Sequence, residues 1–201
     1  RSGIQFGDCV AILCPDRPEW VSSFFAVAKI GGIALAMNTL LKPEEHDYIL
    51  SDSRARVLMV HESLLDVIAP TFENHKSLEH VIVIGDPEDA NYTTLDDWIV
   101  GEVDTLDAER THRDDFCSLH YSSGTTGMPK GILHAHKDYP LIAQLSGVNL
   151  FGLTEDDRTF SVAKLFFVYG IGANLIFPWY VGASCVLHAA PPRQGPAVLK
   201  P

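Results

Sequence analysis

No apolar run in this sequence reaches the roughly 18 residues that a membrane-crossing helix requires, and no stretch has the layout of a secretory signal. Basic runs and aromatic–basic interleaving are also missing. With a formal net charge of −11, this argues against a nucleic-acid-binding surface. A nucleotide ligand stays open, because screening over about 8 Å lets one local lysine and a fan of backbone N–H groups outweigh distant carboxylates. Cysteine is scarce: Cys9, Cys14, Cys117 and Cys185 form no C-x-x-C pair and sit mostly in apolar runs. That pattern reads as reduced, buried, structural thiols of a cytoplasmic protein, not as disulfides or metal ligands. Neither a Walker A motif nor a G-x-G-x-x-G after the first strand occurs, which disfavours P-loop enzymes and dinucleotide folds. Internal repeats and low-complexity tracts are absent as well.

What is present is ordinary globular material, 201 residues with 46% hydrophobic content, enough to bury a sizeable core. "GDCVAILCP" reads as a buried strand leading into "DRPEWVSSFFAVAKIGG", a helix with Asp16 as expected N-cap, Glu19 completing a capping box, and Gly31–Gly32 as the stop. "IALAMN", "RVLMV" and "HVIVIG" are continuous apolar strands. They alternate with helices over "PEEHDYILSDS", opened by Pro43, and "ESLLDVIAPTF". Strands apolar throughout and separated by helices predict an α/β fold with a largely parallel sheet covered on both faces. Residues 86–115 are acidic and turn-rich, a solvated connection with one short helix. "FCSLHY" and "GILHAH" read as strands and "YPLIAQLSGVNLFG" as a helix. "TFSVAKLFF", "YGIGANLIFPWYVGA" and "SCVLHA" follow as strand, helix and strand.

Between the strands at 116–121 and 131–136 lies "YSSGTTGMPKG", residues 121–131, with nothing in it that fills a core. Glycines allow left-handed backbone, so successive N–H groups can converge on an anion. Ser122, Ser123, Thr125 and Thr126 add hydroxyl donors and Lys130 a point charge. At about 1.5–3 kcal/mol per hydrogen bond to a charged group, such a loop can hold a polyphosphate against an acidic background. His134 and His136 share one side of a strand, but no third ligand is evident, so a packing or surface role is expected. Lys164, in an apolar setting, is expected to snorkel to solvent.

The stretch "YSSGTTGMPKGILHAH" resembles the phosphate-binding signature of the adenylate-forming enzymes: acyl-CoA synthetases, luciferase-like enzymes and peptide-synthetase adenylation domains. "PEWVSSFFAVAKIGGIALAMN" is similar to their early helix and strand. "FSVAKLFFVYGIGANLIFPWYVGASCVL" resembles the acyl-pocket segment of the benzoate–CoA ligase branch. The resemblance implies layered αβα subdomains, the first over residues 1–136 and ending in the loop, the second beginning at 137–201. The chain reads as an N-terminal piece, incomplete at both ends.

The resemblance further implies ATP-dependent activation of an aromatic, benzoate-like acid through an acyl-adenylate to its coenzyme A thioester, with ATP, Mg²⁺ and coenzyme A taking part. Ser122, Ser123, Gly124, Thr125, Thr126, Gly127 and Lys130 would bind the ATP phosphates. Lys130 would act catalytically as an electrostatic clamp, and Ser122 would also face Mg²⁺. Phe167, Val168 and Tyr169 would line the acid pocket. Val168 departs from the alanine of benzoate-type members, which bears on the identity of the acid. Medium-chain acyl-CoA synthetases and carrier-loading aryl-acid adenylating enzymes share the chemistry and stay open as alternatives. So does a phosphate-binding module that is inactive as this piece alone. Expected partners are the acid, ATP and coenzyme A, with no nucleic acid and no membrane span, and with room for a full-length homodimer.

Overall fold

The computed structural model describes residues 3–122 and 127–190. Strands β1 (Cys9–Leu13), β2 (Ile33–Ala36), β3 (Val57–His61), β4 (His80–Ile84), β5 (Thr93–Thr94), β6 (Phe116–Ser122) and β7 (Lys130–Ala135) form one seven-stranded sheet in the order β5-β4-β3-β1-β2-β6-β7. Every pairing is parallel except β6–β7, an antiparallel hairpin. A separate parallel pair joins β8 (Arg158–Phe160) to β9 (Ser184–Val186).

Strands β1 and β2 are apolar at every position, and β3 and β4 at all but one terminal histidine each, because both faces of the sheet are covered there. Odd and even residues of β1 fall into different clusters. Val10, Ile12 and Cys14 pack with Trp20, Phe24 and Val27 of α1 (Pro18–Lys29) on one face. Cys9, Ala11 and Leu13 pack on the other face with Ile49 and Leu50 of α2 (Pro43–Ser53) and Leu65 and Ile68 of α3 (Glu62–Ile68). The short α4 (Leu95–Ile99) sits against β4 in the acidic connection. Helix α5 (Asp138–Ile142) continues in a widened π-type coil over Ala143–Leu150. After α6 (Val168–Ile171) a second wide turn, Gly172–Ile176, leads into α7 (Phe177–Tyr180). These late helices bury Ala143, Ile171, Leu175 and Phe177 in the α1-side cluster.

Three local expectations need correction. Arg17, not Asp16, occupies the N-cap of α1 and makes no side-chain cap; its guanidinium pairs with Glu19 at 3.2 Å. Asp16 is diverted to a partner distant in sequence, its Oδ1 accepting the Leu165 N–H at 3.0 Å. Of "TFSVAKLFF", only the first residues are strand, and 161–167 cross the end of the sheet as an irregular segment. Lys164 does not reach solvent. Its ammonium lies buried, donating to the His188 carbonyl at 2.5 Å and facing Asp16 Oδ2 at 3.8 Å.

Candidate functional site

The phosphate-type loop hangs from a hairpin whose last rung pairs Ser122 with Lys130, so both ends of the loop are fixed at one point. Ser123, Gly124, Thr125 and Thr126 lie outside the described residues. Gly127 has φ +107°, a conformation that strains any side chain. Among the described residues a Cβ there would meet nothing within 4 Å, so the backbone conformation is what demands glycine. Ser122 and Lys130 are exposed. The Tyr121 hydroxyl donates to Asp52 Oδ2 at 2.6 Å and ties the end of β6 to the last turn of α2. Burial, and then this carboxylate, hold the Tyr121 pKa well above the usual phenol range.

A cavity of about 420 Å³ opens where β2 and β6 end. These are carboxyl ends of parallel strands, the position at which open α/β sheets bind ligands. Ser122 lines it together with Phe167, Val168 and Tyr169, so the two sequence segments singled out above meet in one space. Phe166 is core at 4% exposure, whereas Phe167, Val168 and Tyr169 are 43%, 47% and 71% exposed. Gly127 and Lys130 are not among the described residues that line it, although Pro129 is and Lys130 pairs with the lining residue Ser122 across the hairpin. A second, apolar cavity of about 380 Å³ is lined by Leu141, Ile142, Leu145, Ile171 and Phe177. Val168 lines both cavities.

The segment carrying these side chains is anchored by the Asp16–Lys164 pair, whose side chains are 3% and 5% exposed. Burial raises the Asp16 pKa against the opposing effects of the Leu165 N–H and Lys164, and burial lowers the Lys164 pKa. Gly170 lies in α6, directly after these side chains. A Cβ there would lie 2.0 Å from the Lys164 carbonyl oxygen, so the chain packs back on itself with no room for a side chain.

Sequence reasoning passed over His120. It is 2% exposed, lines the first cavity, and shares a face of β6 with Ser118 and Ser122. Its Nε2 lies 3.3 Å from the Tyr139 hydroxyl, which is 2.5 Å from Ser118 Oγ. Burial, with His134 second, pushes its pKa down to about 4. The available signal was strand alternation, which puts residue 120 on the face of Ser122. His134 packs edge-on against His120 with ring centroids 5.4 Å apart, and its Nδ1 lies 3.7 Å from Asp138 Oδ2. Among the described residues no group of three His, Cys, Asp or Glu side chains is placed to hold a metal ion. No helix there is long and apolar enough to cross a membrane.

Comparisons with known proteins agree with this fold. The benzoate–CoA ligase of Thauera aromatica is 39% identical over 190 residues, which are 94% of this chain and 36% of that one. The solved structure of the anthranilate CoA ligase AuaEII in complex with anthranoyl-AMP is 57% identical with a TM-score of 0.96, over 98% of this chain and 38% of that chain. A benzoate CoA ligase from Burkholderia xenovorans LB400 superposes with a TM-score of 0.84 at 29% identity, over 94% and 36%. The chain thus spans little more than a third of the length of these relatives. The AMP-binding enzyme family matches residues 1–200, and this chain belongs to that family.

Proposed function

We propose that the full-length protein is an acid–thiol ligase that converts an aromatic carboxylic acid, benzoate or a ring-substituted benzoate such as anthranilate, into its coenzyme A thioester. The acid's carboxylate attacks the α-phosphorus of ATP and expels pyrophosphate; the coenzyme A thiol then attacks the acyl carbon and expels AMP. Neither step needs an enzyme nucleophile. Both need reactants held in line and charge stabilised on the leaving group.

One observation carries this reading: Val168 lines both a cavity that reaches Ser122 and a mostly apolar cavity of about 380 Å³, which has room for a substituted arene. The apolar chamber takes the ring. The acid's carboxylate then emerges past Phe167 toward the loop. Ser122, Ser123, Gly124, Thr125, Thr126 and Gly127 supply hydroxyl and N–H donors to the phosphates, and Lys130 clamps the departing pyrophosphate as a point charge. A nucleotide-borne Mg²⁺ would find Ser122 Oγ as a ligand in this part of the chain and take its other oxygens from phosphate and water. It would neutralise phosphate charge. Cytoplasmic residence, a homodimeric full-length form, and subdomains over 1–136 and 137–201 belong to the same reading. The seven-stranded sheet within 9–135 and the separate pair at 158–186 support the last of these.

The test is acid-dependent exchange of labelled pyrophosphate into ATP by the full-length protein. Benzoate, anthranilate, hydroxybenzoates and a medium-chain fatty acid are compared, followed by thioester formation with coenzyme A against a carrier protein. Exchange with arene acids and transfer to coenzyme A are expected. Exchange with the fatty acid alone, or transfer only to the carrier, would overturn the assignment.

A further inference from the structure

The His120 side chain sits where three parts of the candidate site meet. Its strand delivers the phosphate loop two residues later, and its Nε2 reaches Tyr139 of α5. It lines the first cavity beside Phe166, Phe167 and Val168. Its Nδ1 is buried without a hydrogen-bond partner among the described residues. Burying such a nitrogen is costly, and leucine would fill the volume without that cost. The ring also backs onto His134, which lines the apolar cavity with Tyr139. Ser118, His120, His134 and Tyr139 therefore make a polar seam between the two cavities, bridged by Val168 on the other side.

We infer that His120 is a positioning residue of the acid site, bracing the segment Phe166–Val168 against the strand that carries the phosphate loop. It rests on the ligase reading above. The ring acts through the wall of the pocket, not on the reacting atoms. Held by Tyr139 on one nitrogen, it stands in one cavity wall with Phe166, Phe167 and Val168 and so limits how Phe167 and Val168 face Ser122. Being uncharged at neutral pH, it does this without capturing the acid's carboxylate as an ion pair. Losing the brace should loosen acid binding and leave nucleotide binding alone.

The experiment is pyrophosphate exchange with the full-length protein carrying H120L, H120N or Y139F, with KM measured separately for the arene acid and for ATP. We expect H120L to raise the acid KM at least tenfold with the ATP KM within twofold. H120N, which restores an amide near the Nδ1 position, should recover at least half of that loss on a logarithmic scale, and Y139F should fall between. Equal rises in both KM values, or H120N no better than H120L, overturns the brace. Should H120L fail to fold, Y139F decides: an unchanged acid KM overturns the inference and a selective rise supports it. If the unaltered protein exchanges with no arene acid, the ligase reading fails and takes this inference with it. If it exchanges and H120L matches it, this inference alone fails.

Discussion

Replacing Asp16 by asparagine separates charge from hydrogen bonding at the anchor of the acid-site segment. Asparagine keeps a carbonyl to accept the Leu165 N–H now bound at 3.0 Å, so the loss is confined to the negative charge. Lys164 is then left with the His188 carbonyl and no anion, in a site where its side chain is 5% exposed. Removing one member of a buried pair costs about 3–5 kcal/mol, and shedding the ammonium proton, already made easier by burial, moderates the loss. The reciprocal change, Lys164→Met, strands the carboxylate. Burial has raised its pKa, so the folded state takes up the proton more readily than the unfolded chain does. The penalty of K164M is accordingly full at neutral pH and fades as pH falls through that raised value. The double variant D16N/K164M holds neither charge and should lie within about 1 kcal/mol of the parent, since well-packed apolar replacements of buried pairs are often neutral. Urea unfolding of all four proteins gives the cycle, with an expected coupling of about 4 kcal/mol or more, the two single losses less the near-neutral double. If the two single changes add to within about 0.5 kcal/mol, the pair does not hold this segment and the reasoning fails.

Lys130→Ala is expected to slow adenylate formation by about 10- to 150-fold, the worth of one hydrogen bond to a charged group, and to spare thioester formation from preformed adenylate; rapid-quench assays of the two half-reactions compare them. Gly170→Ala should destabilise the fold by about 1–3 kcal/mol or more, because the new methyl meets main chain and not a pliable side chain; chemical denaturation measures it. Cys9, Cys14 and Cys117, whose pKa values burial pushes up to about 12, should resist a thiol-reactive chromogenic disulfide at pH 8 in the folded protein and react at once in denaturant. Val168→Ala should merge the two cavities and improve kcat/KM for bulkier arene acids relative to benzoate, read from the exchange assay across the acid panel.

Elements whose reason is local were legible in the sequence. Strands β1 to β4 are continuous apolar runs because both faces are buried. Pro43 opens α2, as its fit to a first helical turn suggests. The glycine that needs φ +107° sits inside the motif that announced the loop. What escaped was decided at long range. Asp16 has the residue type and spacing of a helix cap, yet its partner is the N–H of a residue 149 positions away. Lys164 looks like a snorkelling stem until Asp16 and His188 arrive from two other elements. His120 carries no motif at all; its meaning comes from Tyr139, Phe166 and a cavity that only the fold creates.

The hairpin β6–β7 turns this arithmetic into a matter of parity. Along 118–122 the even positions serve the pocket and the loop, while Leu119 packs with the α2 side and Tyr121 bonds to Asp52. Deleting or adding one residue upstream of Ser122 would exchange the two sets: the imidazole would face a helix and the phenol would lose its carboxylate. Extra residues placed beyond Ser122 leave the count intact. Length variation should therefore be forbidden in the stem of this hairpin for its register, just as the proposed phosphate donors forbid it in the loop that the stem carries.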